Sequence, residues 1–260
     1  MIRVVVGGAT GKMGSTICSL IQGQDDMRLV GGIVSASGGH VGTELAPGVS
    51  AVGEDQMTAA LSGADVYVDV TSPDAAGKTL TRAVESGVNV VVGTTALDER
   101  TVRALREGIG VRGLSAVLTP NFSIGVNVFW KTCGILAKAL QGYDVEIVEV
   151  HHNMKKDAPS GTAKRAAEIM ASQTGTREMV YGRQGVTGPR GRVIGIHSVR
   201  AGDVVGEHTV IFAGNKERIE LSHRAHSRDA FAEGCLAAVR WVAPRRDGIV
   251  HTMEEVLGLC

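Results

Sequence analysis

The chain has 260 residues, 43% of them hydrophobic and 21% charged, which is the balance of a globular protein with a real core and room for two modest domains. Lysine plus arginine equals aspartate plus glutamate at 27 each, so no excess charge points to a nucleic-acid or membrane-surface partner. Cys18, Cys133, Cys235 and Cys260 are scattered with no C-x-x-C spacing, which argues against a disulfide framework or a zinc site and leaves no metal in the reading. The opening MIRVVVGG is too short and too soon broken by glycine for a secretory signal. No run approaches the ~18 apolar residues of a membrane span. The chain reads as cytoplasmic.

In chain order, Ile2–Val6 is a continuous apolar run of the kind found in parallel strands buried on both faces. Met13, Ile17, Leu20 and Ile21 then mark one face of a helix, and Arg28–Val34 is a second strand. Asp65–Val70 is a strand, Ala75–Ser86 a helix closed by Gly87, and Val88–Val92 a strand. A helix over Asp98–Glu107 and a strand at Leu114–Leu118 follow. Repeated strand–helix units of this kind predict a Rossmann-like, doubly wound parallel sheet in an α/β protein.

Beyond residue 122 the pattern changes. A helix at Val126–Leu140 leads to a strand at Asp144–Val150, and from Val193 come three long alternating segments with no helix between them. Turns at Arg200–Asp203 and Gly214–Lys216 would join these into an antiparallel meander. Residues 175–191, rich in glycine and basic side chains, read as a mobile loop. Ala230–Val242 is a last amphipathic helix and Glu254–Leu257 a closing turn. The expected organisation is a dinucleotide-binding domain over 1–122, to which 231–260 returns. An α+β domain with a mostly antiparallel open sheet, for substrate binding and oligomerisation, would span 123–230.

Two stretches carry chemistry. Gly7-Gly8-Ala9-Thr10-Gly11-Lys12-Met13-Gly14 sits between the first strand and the first helix and contains G-x-x-G-x-x-G. Glycines there let backbone N–H groups approach a pyrophosphate at the positive end of a helix. A site selective for NAD ends its second strand with a carboxylate for the ribose 2′-hydroxyl, whereas this strand runs into Val34-Ser35-Ala36-Ser37, with Asp25 and Asp26 at its other end. Without that carboxylate nothing repels a 2′-phosphate, and Ser35, Ser37 and Lys12 could donate to it. The reading is NADPH, with NADH also accepted.

The second stretch is Glu149–Ala163, EVHHNMKKDAPSGTA. On a strand His151 and His152 point to opposite faces, so a shared metal is not expected. An imidazole with an ordinary pKa of ~6.5 suits a proton donor. Lys155 and Lys156 precede a turn, and helical spacing begins at Ala163, with Ser160 or Asp157 as its cap. Gly161 and Thr162 then open a helix whose N-terminus favours an anion. Together these residues would bind a small anion and protonate it.

With both motifs in place the sequence resembles the 4-hydroxy-tetrahydrodipicolinate reductase (dihydrodipicolinate reductase) family. The resemblance covers essentially the whole chain and is carried by GGATGKMG, the GTT at Gly93–Thr95, TPNFSIGVN at Thr119–Asn127, EVHHNMKKDAPSGTA, and VRAGDVVGEHTVIFAG at Val199–Gly214. It implies a reductase of lysine and diaminopimelate biosynthesis, using NADPH or NADH on the dehydrated form of its dicarboxylate substrate to give tetrahydrodipicolinate. His151 would be the proton donor and Lys155 the catalytic lysine, with His152, Ser160, Gly161 and Thr162 at the substrate. Gly8, Ala9, Thr10, Gly11, Lys12 and Met13 would hold the pyrophosphate, Ser35 the adenosine ribose. Gly93, Thr94, Thr95, Thr119, Pro120, Asn121 and Phe122 would line the nicotinamide side. A homotetramer built on the sheet of the second domain is implied as well.

Two departures touch the adenosine ribose region as the resemblance implies it, and bear on cofactor preference and not on reaction class. Ser35 and Ala36 stand where family members often carry Glu or Asp, sometimes followed by Arg, and D-V-T-S-P at Asp69–Pro73 stands where many have D-F-T-R-P. Two rival readings are a semialdehyde dehydrogenase, which would need Cys133 or another cysteine as nucleophile, and a non-catalytic NADP-binding regulator, which would have no use for His151 and Lys155.

Overall fold

The computed structural model describes residues 1–176 and 178–259; Cys260, one of the scattered cysteines, lies outside them. In chain order the first elements are β1 (Ile2–Gly7), α1 (Lys12–Gln22), β2 (Met27–Val34), β3 (Glu44–Ala46), β4 (Val49–Gly53) and α2 (Met57–Ala60). Then come β5 (Val66–Asp69), α3 (Pro73–Glu85), β6 (Asn89–Val92), α4 (Glu99–Arg112), β7 (Ala116–Leu118), α5 (Ile124–Ala139) and β8 (Asp144–His151). The remainder is α6 (Gly161–Thr174), β9 (Met179–Tyr181), β10 (Ile194–Arg200), β11 (Gly206–Ala213), β12 (Arg218–Ala225), α7 (Asp229–Val242), β13 (Val250–His251) and α8 (Met253–Val256). The chain divides into two compact units, one made of Met1–Ser123 together with the chain from Arg228 onward, the other of Ile124–Ser227. No helix among the described residues is long and apolar enough to cross a membrane.

The first unit is built on an eight-stranded sheet in the order β13-β7-β6-β5-β1-β2-β4-β3. All its pairings are parallel except β3 with β4. The central strands β1, β5 and β6 read as unbroken apolar runs because both faces are covered. One face packs Val4, Val6, Val68 and Val91 against α1 and α7, and the other packs Val5, Tyr67, Val90 and Val92 against α3 and α4. Helix α7 is tied to the sheet by a buried amide as well: Asn89 Nδ2 donates to the carbonyl of Val242 at 2.7 Å, and Asn89 Oδ1 accepts from Ser115 N–H. The helix expected over Asp98–Glu107 is capped by Asp98 and runs on to Arg112, through the glycines at 108 and 110. A Cβ at Gly108 would meet a Val84 methyl at 2.9 Å, so that glycine serves the close packing of α4 on α3.

The second unit is a five-stranded sheet ordered β12-β11-β8-β10-β9, with α5 and α6 on one face. Its two antiparallel pairings span more residues than its two parallel ones, but the expected three-strand meander is corrected. Strand β11 pairs antiparallel with both β12 and β8, while β10 runs parallel to β8 and never pairs with β11. The long crossover through α6 returns the chain in the direction of β8. The alternation of β10, with Ile194 and Ile196 inward, specifies a buried face but not a neighbour. The expected loop at 175–191 contains β9, which pairs parallel with β10 from Met179 to Tyr181.

Candidate active site

The histidine–lysine block lies at the C-terminal end of β8. Strand alternation puts Val145, Ile147, Glu149 and His151 on the helix-covered face. Glu149 is fully buried. Both Nη atoms of Arg200 donate to it at 2.9 Å, one to each carboxylate oxygen, and the N–H of Ser160 donates at 3.2 Å. Burial opposes the charge, but hydrogen bonds from Arg200 above all, then Ser198 and His151, hold the carboxyl down at about 2. Arg200 reaches this spot because β10 is parallel to β8, with Arg200 in register with His151. Its second donor also binds the carbonyl of Asp157 at 2.7 Å, pinning the loop that follows the strand.

His151 Nδ1 is 2.5 Å from Glu149 Oε2. A carboxylate at that nitrogen fixes the Nδ1–H tautomer and leaves Nε2 to exchange a proton. Burial, the largest influence, pushes the imidazole below its ordinary value; Glu149 pulls it up, and Lys155 and Arg200 push it down again. Nε2 stands beside Gly206, where an added Cβ would sit 3.0 Å away, so the glycine keeps that nitrogen clear. The ring of His208 meets His151 edge-on at 5.1 Å. His208 is itself buried and held neutral, pushed down to about 3 by burial first and by His151 next.

Ser160 caps α6, its Oγ accepting from Ala163 N–H at 3.2 Å and lying 2.9 Å from His208 Nε2. With its N–H on Glu149 and only 2% exposure, Ser160 is turned into the protein interior. Gly161 and Thr162 are the first residues of α6, where the helix dipole favours negative charge. Lys155 Nζ lies 2.8 Å from Asp157 Oδ1, and Lys156 is exposed. His152 leaves the strand and is half-buried, diverging from the buried His151. Among the described residues no cluster of three or more His, Cys, Asp or Glu side chains could hold a metal.

The first unit carries the glycine loop. Gly8 has φ +75°, and a Cβ there would meet the Val70 carbonyl at 2.7 Å; at Gly14 it would meet the Gly8 carbonyl at 2.1 Å. Gly11 caps α1 with no side-chain hydrogen bond and no acidic residue in the first turn, so the helix presents N–H groups and no opposing charge. Ala9 is fully buried in the core, leaving only its backbone for a ligand, while Lys12 is exposed and Thr10 half-buried. Ser35 and Ser37 lie in the turn after β2 with their hydroxyls 3.1 Å apart. Asp26, at the other end of that strand, is paired with Arg240 at 2.7 Å.

Met13, Gly93, Thr94, Thr95, Pro120, Asn121 and Phe122 all line one cavity of about 280 Å³, joined by Val70, Thr71 and Phe231. A Cβ on Gly93 would meet the Phe122 ring at 2.2 Å, so the glycine lets that ring close the cavity wall. Thr119 does not reach the cavity; it is buried, and its hydroxyl binds the Asn121 carbonyl at 2.8 Å to shape the lining loop.

Two family models together match nearly the whole chain. Residues 2–122 match the dihydrodipicolinate reductase N-terminal family and residues 125–257 the C-terminal family. The chain belongs to the dihydrodipicolinate reductase family. It is 46% identical over 265 residues to 4-hydroxy-tetrahydrodipicolinate reductase of Methanosarcina barkeri, covering 100% of both chains. Against the enzyme of the same name from Methanocaldococcus jannaschii it is 45% identical, covering 100% of this chain and 98% of the other. The structure of a dipicolinate-bound dihydrodipicolinate reductase from Paenisporosarcina sp. TG-14 superposes with a TM-score of 0.82 at 26% identity, over 98% of this chain and 99% of that one.

As a dinucleotide-binding reductase family, this one works with NAD(P)H on a small molecule. Among the described residues the semialdehyde dehydrogenase alternative finds no exposed cysteine to serve as nucleophile: Cys18, Cys133 and Cys235 are buried, and burial pushes each thiol up, those of Cys18 and Cys133 to about 12. The sequence reading passed over Glu149, Arg200 and His208. Glu149 did leave a signal, an acidic residue two positions before His151 on the same strand face. Arg200 and His208 left none, since strand pairing alone brings them in.

Proposed function

We propose that this chain reduces the dehydrated form of 4-hydroxy-tetrahydrodipicolinate to tetrahydrodipicolinate, the step implied for lysine and diaminopimelate biosynthesis. The observation that carries the reading is the imidazole of His151, fixed at Nδ1 by a buried carboxylate, close in sequence to Lys155 and to the N-terminus of α6. When bound, a nicotinamide dinucleotide supplies the hydride. His151 delivers a proton from Nε2 to the carbon that becomes electron-rich, and Lys155 offsets the negative charge that develops. Gly161 and Thr162 receive a substrate carboxylate at the helix N-terminus, with His152 beside them. Glu149 and Ser160 position the imidazole and the helix.

The first unit is the cofactor domain in this proposal, with residues 8–13 on the pyrophosphate and the cavity at Gly93–Thr95 and Pro120–Phe122 taking the nicotinamide. NADPH is the preferred donor and NADH is accepted, because Ser35 and Ser37 put hydroxyls and no charge after β2. The second unit is the substrate and assembly domain. Helices α5 and α6 cover one face of its sheet; the other carries Val148, Val150, Val199 and Ile211, suited to sheet-on-sheet packing in a homotetramer. The buried, unbridged thiols fit a reducing cytoplasm.

The test is a coupled assay in which the substrate is generated from pyruvate and aspartate semialdehyde, following oxidation of NADPH and NADH separately. Substrate-dependent oxidation that collapses in Lys155→Ala is the expected result. Cofactor binding without turnover would overturn the reading in favour of a non-catalytic regulator.

A further inference from the structure

Asp69 ends β5 and is fully buried, yet among the described residues no basic side chain hydrogen-bonds or ion-pairs with it. Four hydroxyls converge on it. Tyr67 Oη and Thr79 Oγ1 donate to Oδ2 at 2.9 and 2.6 Å. Thr71 Oγ1 and Thr94 Oγ1 donate to Oδ1 at 2.8 and 2.6 Å, and the Thr71 N–H adds a contact at 3.3 Å. Burial first, and the Asp69 charge next, push the Tyr67 phenol well above its ordinary value, so it stays a donor. A Cβ at Gly7 would overlap Tyr67 Oη at 2.0 Å, so the strand leading into the nucleotide loop makes room for this phenol. So many neutral donors around one buried acid replace the hydration that a carboxylate would otherwise lose.

Thr71 and Thr94 also line the cavity beside Gly93. Each threonine hydroxyl has one proton and two lone pairs. Asp69 takes both protons, so on this wall the hydroxyls of Thr71 and Thr94 can offer a ligand only acceptors, backed by a buried negative charge. A carboxamide N–H₂ group, with two donors, suits such a wall. A carboxylate in its place would set lone pairs against lone pairs.

We propose that Asp69 is a positioning and specificity residue of the nicotinamide site: it holds Thr71 and Thr94 as acceptors for the carboxamide, and its charge favours the oxidised, cationic ring over the reduced, neutral one. The proposal rests on the reading of this cavity as the nicotinamide pocket. Its consequence for the reaction follows from charge alone. Loss of hydride, the C4–H bond breaking with its electron pair passing to the substrate, turns a neutral ring into a cation, and a nearby buried carboxylate stabilises that cation.

The experiment is a set of binding titrations, without turnover, on wild type, Asp69→Asn and Thr94→Val. The ligands are NADP⁺, NADPH, the nicotinic-acid analogue of NADP⁺, and 2′-phospho-ADP-ribose, which has no nicotinamide. In wild type the acid analogue should bind at least about tenfold more weakly than NADP⁺. In Asp69→Asn the affinity for NADP⁺ relative to NADPH should fall by about tenfold. Thr94→Val should weaken NADP⁺ and NADPH together, keep their ratio, and narrow the preference for amide over acid. That last comparison carries the test if Asp69→Asn does not fold. An unchanged oxidised-to-reduced ratio in Asp69→Asn, or an amide-to-acid preference unmoved in Thr94→Val, overturns the proposal and leaves the pocket reading standing. If 2′-phospho-ADP-ribose binds as tightly as NADP⁺ and NADPH in every protein, the cavity does not hold the nicotinamide and both fall.

Discussion

His151 and Glu149 meet through a single contact of 2.5 Å between Nδ1 and Oε2, and the carboxylate side of that contact is buried and clamped by Arg200. Because the clamp satisfies both carboxylate oxygens, the imidazole is oriented by a group that cannot swing away. In the proposed reaction the two ring nitrogens have different tasks, one to hold the ring and one to move a proton.

Removing the Glu149 charge should therefore show in the pH profile. The carboxylate pulls the His151 pKa up against burial, so in Glu149→Gln the imidazole loses its proton at lower pH. The limb of kcat/KM that requires protonated His151 should move to lower pH, with kcat/KM near neutrality down by about tenfold or more. The His151 ring signals in a heteronuclear titration should move the same way. A limb that stays in place would mean that another group supplies the proton.

Lys155 offers the opposite case. Its ion-pair partner, Asp157, is exposed at 59% of its side chain, so the pair adds ~0–1 kcal/mol. Lys155→Met should leave the melting temperature nearly unchanged while lowering kcat by about a hundredfold or more. Asp157→Asn should retain most of the activity. A large loss of stability in Lys155→Met would show that the ammonium is structural.

Ser160→Ala should behave as a stability mutation first. It removes the cap of α6, worth ~1 kcal/mol, and leaves His208 Nε2 buried without a partner, at a cost of about 1–3 kcal/mol more. Denaturant unfolding should show the midpoint falling with an unchanged slope. Any rise in KM should be modest, since the hydroxyl itself is turned inward.

Acid should destabilise the fold in two stages. The folded pKa of His208 is depressed to about 3, so the protein binds its proton less readily than the unfolded chain does. That stabilisation is complete above the ordinary histidine value of ~6.5 and is lost as pH falls from there towards 3, at up to ~1.4 kcal/mol per pH unit. Glu146 of β8, held down against burial by hydrogen bonds from Arg183, His197 and Arg190, and Glu149 both lie at about 2; they contribute above the ordinary glutamate value and lose their contribution as pH drops from ~4.3 towards 2. Melting temperatures between pH 8 and pH 5 should decline, and His208→Gln should flatten that decline. An equally steep decline in the variant would assign the first stage to other groups.

Cofactor choice should turn on the residue after β2. Ser35→Asp places a carboxylate where it can accept from the ribose 2′-hydroxyl and repel a 2′-phosphate. The ratio of kcat/KM for NADPH over NADH should drop by about tenfold or more. An unchanged ratio would place 2′-phosphate recognition elsewhere, with exposed Lys12 the next residue to substitute.

What the sequence determined by itself was whatever depends on neighbours along the chain. The apolar runs of β1, β5 and β6, the helix periodicities, the glycines of the nucleotide loop and the cap at Ser160 are local patterns with local causes, and each was readable. So was the approximate place of the histidine–lysine block, at a strand end and ahead of a helix. The tertiary structure alone decided which strands lie side by side, because alternation marks a buried face without naming a partner. That choice put β10 parallel to β8 and so delivered Arg200 to Glu149, brought His208 from β11 against His151, and closed Thr71, Thr79 and Thr94 around Asp69. A buried carboxylate in a sequence looks like any other Asp or Glu; only the fold shows the hydroxyls or guanidinium that make its burial affordable.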